Sequence, residues 1–148
     1  MNKRITSNSS LFTKQIGYQV ALQVDSRKNN KSARLFLLKG DLGSGKTTFV
    51  LGFLKYFGIK PKSASPTFVI MKCYKPKLKA SGIYHIDAYR LRSKKDLDVL
   101  GFKEISKNTK NIIIIEWPQR VGGLKMKNKT LISFFHGKKE NERIIVIK

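Results

Sequence analysis

The residues Gly40-Asp41-Leu42-Gly43-Ser44-Gly45-Lys46-Thr47 fit the pattern G-x-x-x-x-G-K-[ST] at every fixed position. Such a stretch cradles a polyphosphate. Glycines let successive backbone N–H groups turn inward without a Cβ clash, the lysine reaches the β- and γ-phosphates, and the Thr47 hydroxyl coordinates Mg²⁺. The helix that follows offers its positive N-terminal end to the same anion. In a chain of this composition an accidental match has a probability of roughly one to two per cent. Two acidic residues end apolar runs further on, Asp87 after Ile83-Tyr84-His85-Ile86 and Glu116 after Ile112-Ile113-Ile114-Ile115. A carboxylate ending a strand downstream of a phosphate loop holds Mg²⁺ directly or through water. Glu116 is the better candidate, because its strand is the more apolar. Asp87 either caps a turn, orients an attacking water or joins the Mg²⁺ shell. Thr67, after Ser65-Pro66, stands where a switch-loop hydroxyl would sense a γ-phosphate.

The flanking sequence supplies elements to position these groups. Leu35-Phe36-Leu37-Leu38 reads as a buried parallel strand running into the loop, and Thr48–Phe57 as the helix leaving it, with Gly58 as its C′ residue. Before them, Phe12, Ile16, Val20 and Val24 recur every four residues and predict a helix over Leu11–Val24, with Ser9 or Ser10 as N-cap. Ser26–Ser32 and Lys60–Pro66 are polar, turn-rich connections. Thr67–Tyr74 and Ile83–Asp87 read as strands joined by a hairpin turn through Lys75–Gly82. Ser93 followed by Asp96 resembles a capping box opening a short helix that stops at Gly101. Asn111–Ile115 is a β-branched run typical of a central strand covered on both faces, broken by Pro118 after Trp117. Leu131–His136 and Arg143–Ile147 close the chain as a hairpin. The expected fold is α/β: a three-layer P-loop NTPase domain over residues 1–148, its central sheet mainly parallel with antiparallel additions. His85 reads as a structural hydrogen-bonding histidine, and Trp117 as packing.

Composition narrows the class. The chain of 148 residues is near the commonest domain size, and a 41% hydrophobic share describes a folded globular protein. No apolar run approaches the ~18–20 residues that span a bilayer, and the basic start has no apolar core behind it, so neither membrane anchoring nor secretion is expected. The lone Cys73 suits a reducing, cytoplasmic setting and is given no role. The formal charge of +22 raises the question of a polyanion partner. Of the basic residues 24 are Lys and only 7 Arg, spread over the whole chain, which suits diffuse attraction to RNA better than a dedicated surface.

Four blocks, taken together, carry a resemblance. They are Gly40–Phe49, Ser65-Pro66-Thr67-Phe68, Tyr84-His85-Ile86-Asp87-Ala88-Tyr89-Arg90-Leu91 and Ile115-Glu116-Trp117-Pro118. In this order they resemble the bacterial TsaE (YjeE-type) family, the small ATPases of tRNA threonylcarbamoyladenosine biosynthesis, over about residues 9–120. The resemblance implies nucleotide binding by Asp41, Leu42, Gly43, Ser44, Gly45, Lys46, Thr47 and Thr48, and a switch-like Ser65–Phe68 segment with Thr67. It implies Mg²⁺ held by Thr47 and Glu116, and a catalytic set of Lys46, Asp87 and Glu116. Thr13 matches a threonine that the family places near the base, and ATP rather than GTP follows from the family. It further implies action through a TsaD–TsaB pair that modifies adenosine 37 of tRNAs reading A-starting codons, with tRNA met only through that complex. Ser44 stands where the family often has alanine, Ala88 replaces a larger apolar residue, and the stretch after Pro118 matches poorly. The residues alone leave two other classes open. A small-molecule kinase would need an acceptor site and an arginine-bearing lid, for which Arg90, Arg92 and Arg120 are available. A basic RNA-binding module would merely retain the nucleotide fold.

Overall fold

A computed structural model describes residues 2–25, 31–61, 69–77 and 80–148. The elements, in order, are β1 (Lys3–Ser7), α1 (Ser10–Asp25), β2 (Arg34–Lys39), α2 (Lys46–Tyr56), β3 (Met71–Tyr74), β4 (Gly82–Asp87), α3 (Lys94–Val99), α4 (Phe102–Lys107), β5 (Asn111–Glu116), β6 (Lys129–His136) and β7 (Arg143–Ile147). A 3₁₀ turn covers Pro118–Arg120. The strands form one sheet in the order β1-β7-β6-β2-β5-β4-β3. β6, β2, β5 and β4 pair in parallel, and the antiparallel pairs lie at the two edges. The expected layering and sheet type are therefore present.

β5 explains the three layers. All six of its residues are buried. Because side chains alternate across a strand, Ile112 and Ile114 enter the cluster under α1 and α2, while Ile113 and Ile115 enter the cluster under α3 and α4. A run of β-branched residues satisfies both faces at once.

The two helices on the first face meet at their backbones. A Cβ on Gly17 of α1 would stand 2.1 Å from the Phe49 carbonyl oxygen, and one on Gly52 of α2 would stand 1.9 Å from that of Lys14. Only glycine permits this approach, which brings the first turns of α1 over the start of α2. Ser9 is the cap of α1: its hydroxyl accepts the Phe12 N–H at 3.1 Å.

Some elements differ from the sequence reading. β1 was not expected: its short Lys3-Arg4-Ile5-Thr6-Ser7 stretch carries edge-strand charges and gains its pairing only from β7. Gly101, with φ 82°, ends α3 but also opens α4, whose Phe102 packs into the second cluster. The strand expected from Thr67 is seen over Met71–Tyr74, and residues 67 and 68 lie outside the described residues. So do residues 26–30 of the first polar loop and 78–79 of the hairpin turn. Cys73 is exposed on the edge strand β3. No helix among the described residues is long and apolar enough to cross a membrane.

The glycine contact gives a direct test. Gly52→Ala gains about 1 kcal/mol of helix propensity but forces the helices apart. Overpacking at a backbone oxygen dominates, so denaturant unfolding will show a net loss of about 2–3 kcal/mol.

Candidate functional site

Three strands deliver the candidate residues side by side. Leu38, the penultimate residue of β2 ahead of the glycine-rich loop, is paired with Glu116 of β5, and Glu116 is paired with Asp87 of β4. The carboxyl ends of parallel strands are where open α/β sheets bind ligands. A cleft of about 480 Å³ opens there. Its walls include Thr13, Leu42, Gly43, Ser44, Gly45, Lys46, Thr47, Thr48, Asp87 and Glu116. The structure thus gathers the expected residues, with two exceptions. Asp41 is not in the wall; its carbonyl accepts from Lys46 at 2.9 Å, and its charge acts on the same ammonium. Thr67, and with it the Ser65–Phe68 segment, lies outside the described residues.

The loop has the backbone its glycines permit. Gly43 and Gly45 have φ values of 72° and 101°, left-handed conformations that residues with a Cβ rarely adopt. Gly45 is the N-cap of α2 and supplies no side-chain cap, so the first N–H groups of the helix lack a side-chain acceptor. The Ser44 hydroxyl is buried without a hydrogen-bond partner among the described residues.

Lys46 is 5% exposed. Its Nζ donates to the carbonyls of Gly40 at 2.7 Å and Asp41 at 2.9 Å and stands 4.6 Å from the centre of the Trp117 ring. Burial lowers its pKa, while Glu116, Asp87 and Asp41 pull it back up. Glu116, also 5% exposed, places Oε1 2.8 Å from Nε2 of His85, which is fully buried. An ionised carboxylate only accepts, so His85 Nε2–H donates. Nδ1 has no hydrogen-bond partner among the described residues. His85 is therefore the hydrogen-bonding histidine expected, and what it orients is Glu116.

Asp87 is the turn cap that was one of the readings open to it, and it also lies on the cleft. Its Oδ1 accepts the Tyr89 N–H at 3.0 Å, a local turn cap, while the residue still lines the cleft. Thr13 is buried, and its hydroxyl bonds Ser7 Oγ at 2.8 Å. Its methyl faces the loop, 3.6 Å from where a Cβ on Gly45 would lie.

Other wall residues were not foreseen. Trp117 is the non-glycine residue with positive φ (57°) among those described, and its N–H donates to the Leu38 carbonyl at 3.2 Å. Tyr89 packs edge-on against it at 5.1 Å, and the Arg120 guanidinium lies 5.1 Å from the Tyr89 ring. Asn141 and Arg143 enter from the C-terminal hairpin. The Trp-Pro pair was a partial signal for a special backbone. Nothing local marked Asn141 or Arg143.

Replacing His85 by Phe leaves a buried carboxylate without its donor. Equilibrium unfolding of His85→Phe will show a loss of about 2 kcal/mol. In a double-mutant cycle with Glu116→Gln the two changes will be non-additive; simple additivity would mean that the pair does not interact.

Comparison with known proteins adds the lineage. A family model described as threonylcarbamoyl adenosine biosynthesis protein TsaE matches residues 7–145. The tRNA threonylcarbamoyladenosine biosynthesis protein TsaE of Rickettsia conorii is 37% identical, over 93% of this chain and 81% of its own length. The TsaE protein of Haemophilus influenzae is 34% identical, over 65% of this chain and 59% of its own. Among solved structures, YdiB of Bacillus subtilis superposes with a TM-score of 0.71 at 25% identity, covering 99% of this chain and 84% of that one. The match reaches past Pro118 into β7, further than the motifs alone carry it. With its P-loop fold and a match over nearly its whole length, the chain belongs to the TsaE family.

Proposed function

We propose that this chain is a cytoplasmic, single-domain, Mg²⁺-dependent ATPase that supports threonylcarbamoylation of adenosine 37 in tRNAs reading A-starting codons. The observation that carries the reading is the shared register of Leu38, Glu116 and Asp87, which lines up a phosphate-binding loop and two carboxylates on one cleft. Family membership and the names of its relatives support the tRNA modification.

The residues fit the groups they would hold. Thr47 and Glu116 bring a hydroxyl and a carboxylate to the same cleft, a hard-oxygen donor pair of the kind Mg²⁺ takes when phosphates and water complete its shell. When bound, Mg²⁺ neutralises charge on the phosphate oxygens. Lys46 would exchange its carbonyl contacts for β- and γ-phosphate oxygens, a stronger charge-assisted pairing. The amides from Gly43 to Thr48 would surround the phosphates at the start of α2. His85 keeps Glu116 aimed, and Asp87 orients the attacking water. Thr13 packs against the loop beside the nucleotide, and Thr67 senses its γ-phosphate. The transfer of the threonylcarbamoyl group belongs to the TsaD–TsaB pair, and this chain meets tRNA only through that complex. The kinase alternative gains nothing from Arg120, whose guanidinium is stacked on Tyr89.

The test is Mg²⁺-dependent ATP hydrolysis by wild type and by Glu116→Ala, each alone and with purified TsaD–TsaB. Hydrolysis that is slow alone, rises with the partners and falls at least a hundredfold in the variant is expected. Phosphorylation of an added small molecule, or indifference to the partners, would sink the reading. A second outcome follows from Lys46. Burial lowers its pKa, so it loses its proton earlier than a free lysine as pH rises, and only the charged form attracts phosphates. ATP affinity measured by calorimetry will fall at a lower pH than the titration of an ordinary lysine would bring about, and binding in that range will take up a proton; in Lys46→Arg the fall will vanish.

A further inference from the structure

A second groove, of about 820 Å³, runs between α1 and the sheet on the α1–α2 face. Its apolar floor comes from Ile5 of β1, Ile16 and Val20 of α1, Phe36 of β2 and Ile147 of β7. The sheet is wider than its cover. Seven strands about 4.8 Å apart span about 29 Å, whereas two packed helices cover about 20 Å. Because α1 and α2 touch backbone to backbone, the antiparallel edge of β6, β7 and β1 keeps room for one more helix. From Phe12 to Val24, both in the groove wall, α1 rises about 18 Å, or just over three turns.

The helix turns a nearly uncharged face to this groove. Of its 16 residues only Lys14 and Asp25 are charged, in a chain that is 27% charged. Gln15 and Gln19 are exposed in the groove wall, with exposed Leu11 and Leu22 one helical turn away. Surface that keeps apolar and amide groups but loses charge is the kind a partner buries. Around the groove, charge returns with one sign: Lys3, Arg34, Lys129 and Lys148 line it, and no Asp or Glu does. Lys3 and Lys148 are exposed, and no carboxylate pairs with either among the described residues. We propose that the groove docks an acidic amphipathic helix of a partner protein. The apolar stripe of that helix covers Ile16, Val20 and Ile147, and its carboxylates meet the lysines. A second copy of this chain would bring like charges to the rim. Single-stranded RNA needs aromatic faces to stack on, and of the two rings in the wall, Phe12 and Phe36, the second is buried.

The probe is a fluorescein-labelled synthetic helix of about 14 residues, with leucines repeating at helical spacing on one face and glutamates elsewhere. Fluorescence anisotropy follows its titration with wild type, with Lys3→Glu plus Lys148→Glu, and with Lys94→Glu plus Lys95→Glu. The last pair makes the same charge change at exposed residues of α3, on the other face of the sheet. Binding is expected to weaken at least about tenfold in the Lys3–Lys148 pair and to stay within about twofold of wild type in the Lys94–Lys95 pair. Circular dichroism checks that both variants fold. A peptide with serines in place of the leucines will also bind at least about tenfold more weakly, because the floor is apolar. Equal weakening in the two lysine pairs, or binding that survives loss of the leucines, overturns the proposal and leaves only diffuse charge attraction. Absence of binding to wild type overturns it too. So does competition by single-stranded RNA for the groove, or a wild-type dimer in sedimentation that Gln19→Glu dissociates, since these give the face to RNA or to a second copy.

Discussion

The parallel pairing of β2 with β5 is the constraint from which the rest follows. It sets Glu116 beside Leu38, one residue ahead of the strand's last position and at the entrance to the glycine-rich loop. Because side chains alternate, the same register sends Ile112, Ile114 and Glu116 to the α1–α2 face and Ile113 and Ile115 to the other. A slip of one residue would exchange the two faces, burying the carboxylate beneath α3 and α4 and away from Lys46. The core and the site are therefore held by one pairing. β4 continues the arrangement: His85 and Asp87 lie two residues apart on one face, the first to hold Glu116 and the second paired with it.

The electrostatics of the cleft are local. Its wall carries two cations, Lys46 and Arg143, and two carboxylates, Asp87 and Glu116. The formal excess of +22 is thus not concentrated here. Affinity for a polyphosphate in this cleft must come from directed groups at short range: backbone amides, one buried ammonium and the end of α2. The surplus lysines act at long range and are screened within about 8 Å at physiological salt. That separates the cleft's chemistry from any diffuse attraction to RNA.

Packing reaches the same loop from both sides. On one side Gly17 and Gly52 let α1 and α2 touch through their backbones, which brings Thr13 to the loop and buries it. On the other, Phe134 of β6 crowds Gly40, and Arg143 holds Gly43. Glycines that look alike in sequence do different things here. Gly43 and Gly45 are needed for their positive φ, whereas Gly17 and Gly52 are needed because a carbonyl oxygen occupies the place of their side chain.

The sequence alone determined the local parts. The glycine-rich loop needs only its own residues to specify its turn. Asn111–Glu116 needs only its β-branched run to specify a strand covered on both faces, and the alternation of Ile83–Asp87 brings its carboxylate to a strand end. These signals are short-range, so they survive in a linear reading, and the element types they implied are present. Only the tertiary structure decided which distant pieces close around the loop. Lys3–Ser7 is too short and too polar to declare itself a strand until β7 pairs with it. Gly101 reads as a stop but also starts α4, because its left-handed backbone redirects the chain so that Phe102 can reach the second cluster. Arg143 looks like any other cation of a lysine-rich chain, and its meeting with Gly43 follows from sheet order, which places β6 and β7 beside β2. Such contacts are set by the closing of long loops and the burial of shared surface, neither of which leaves a mark at the residues themselves.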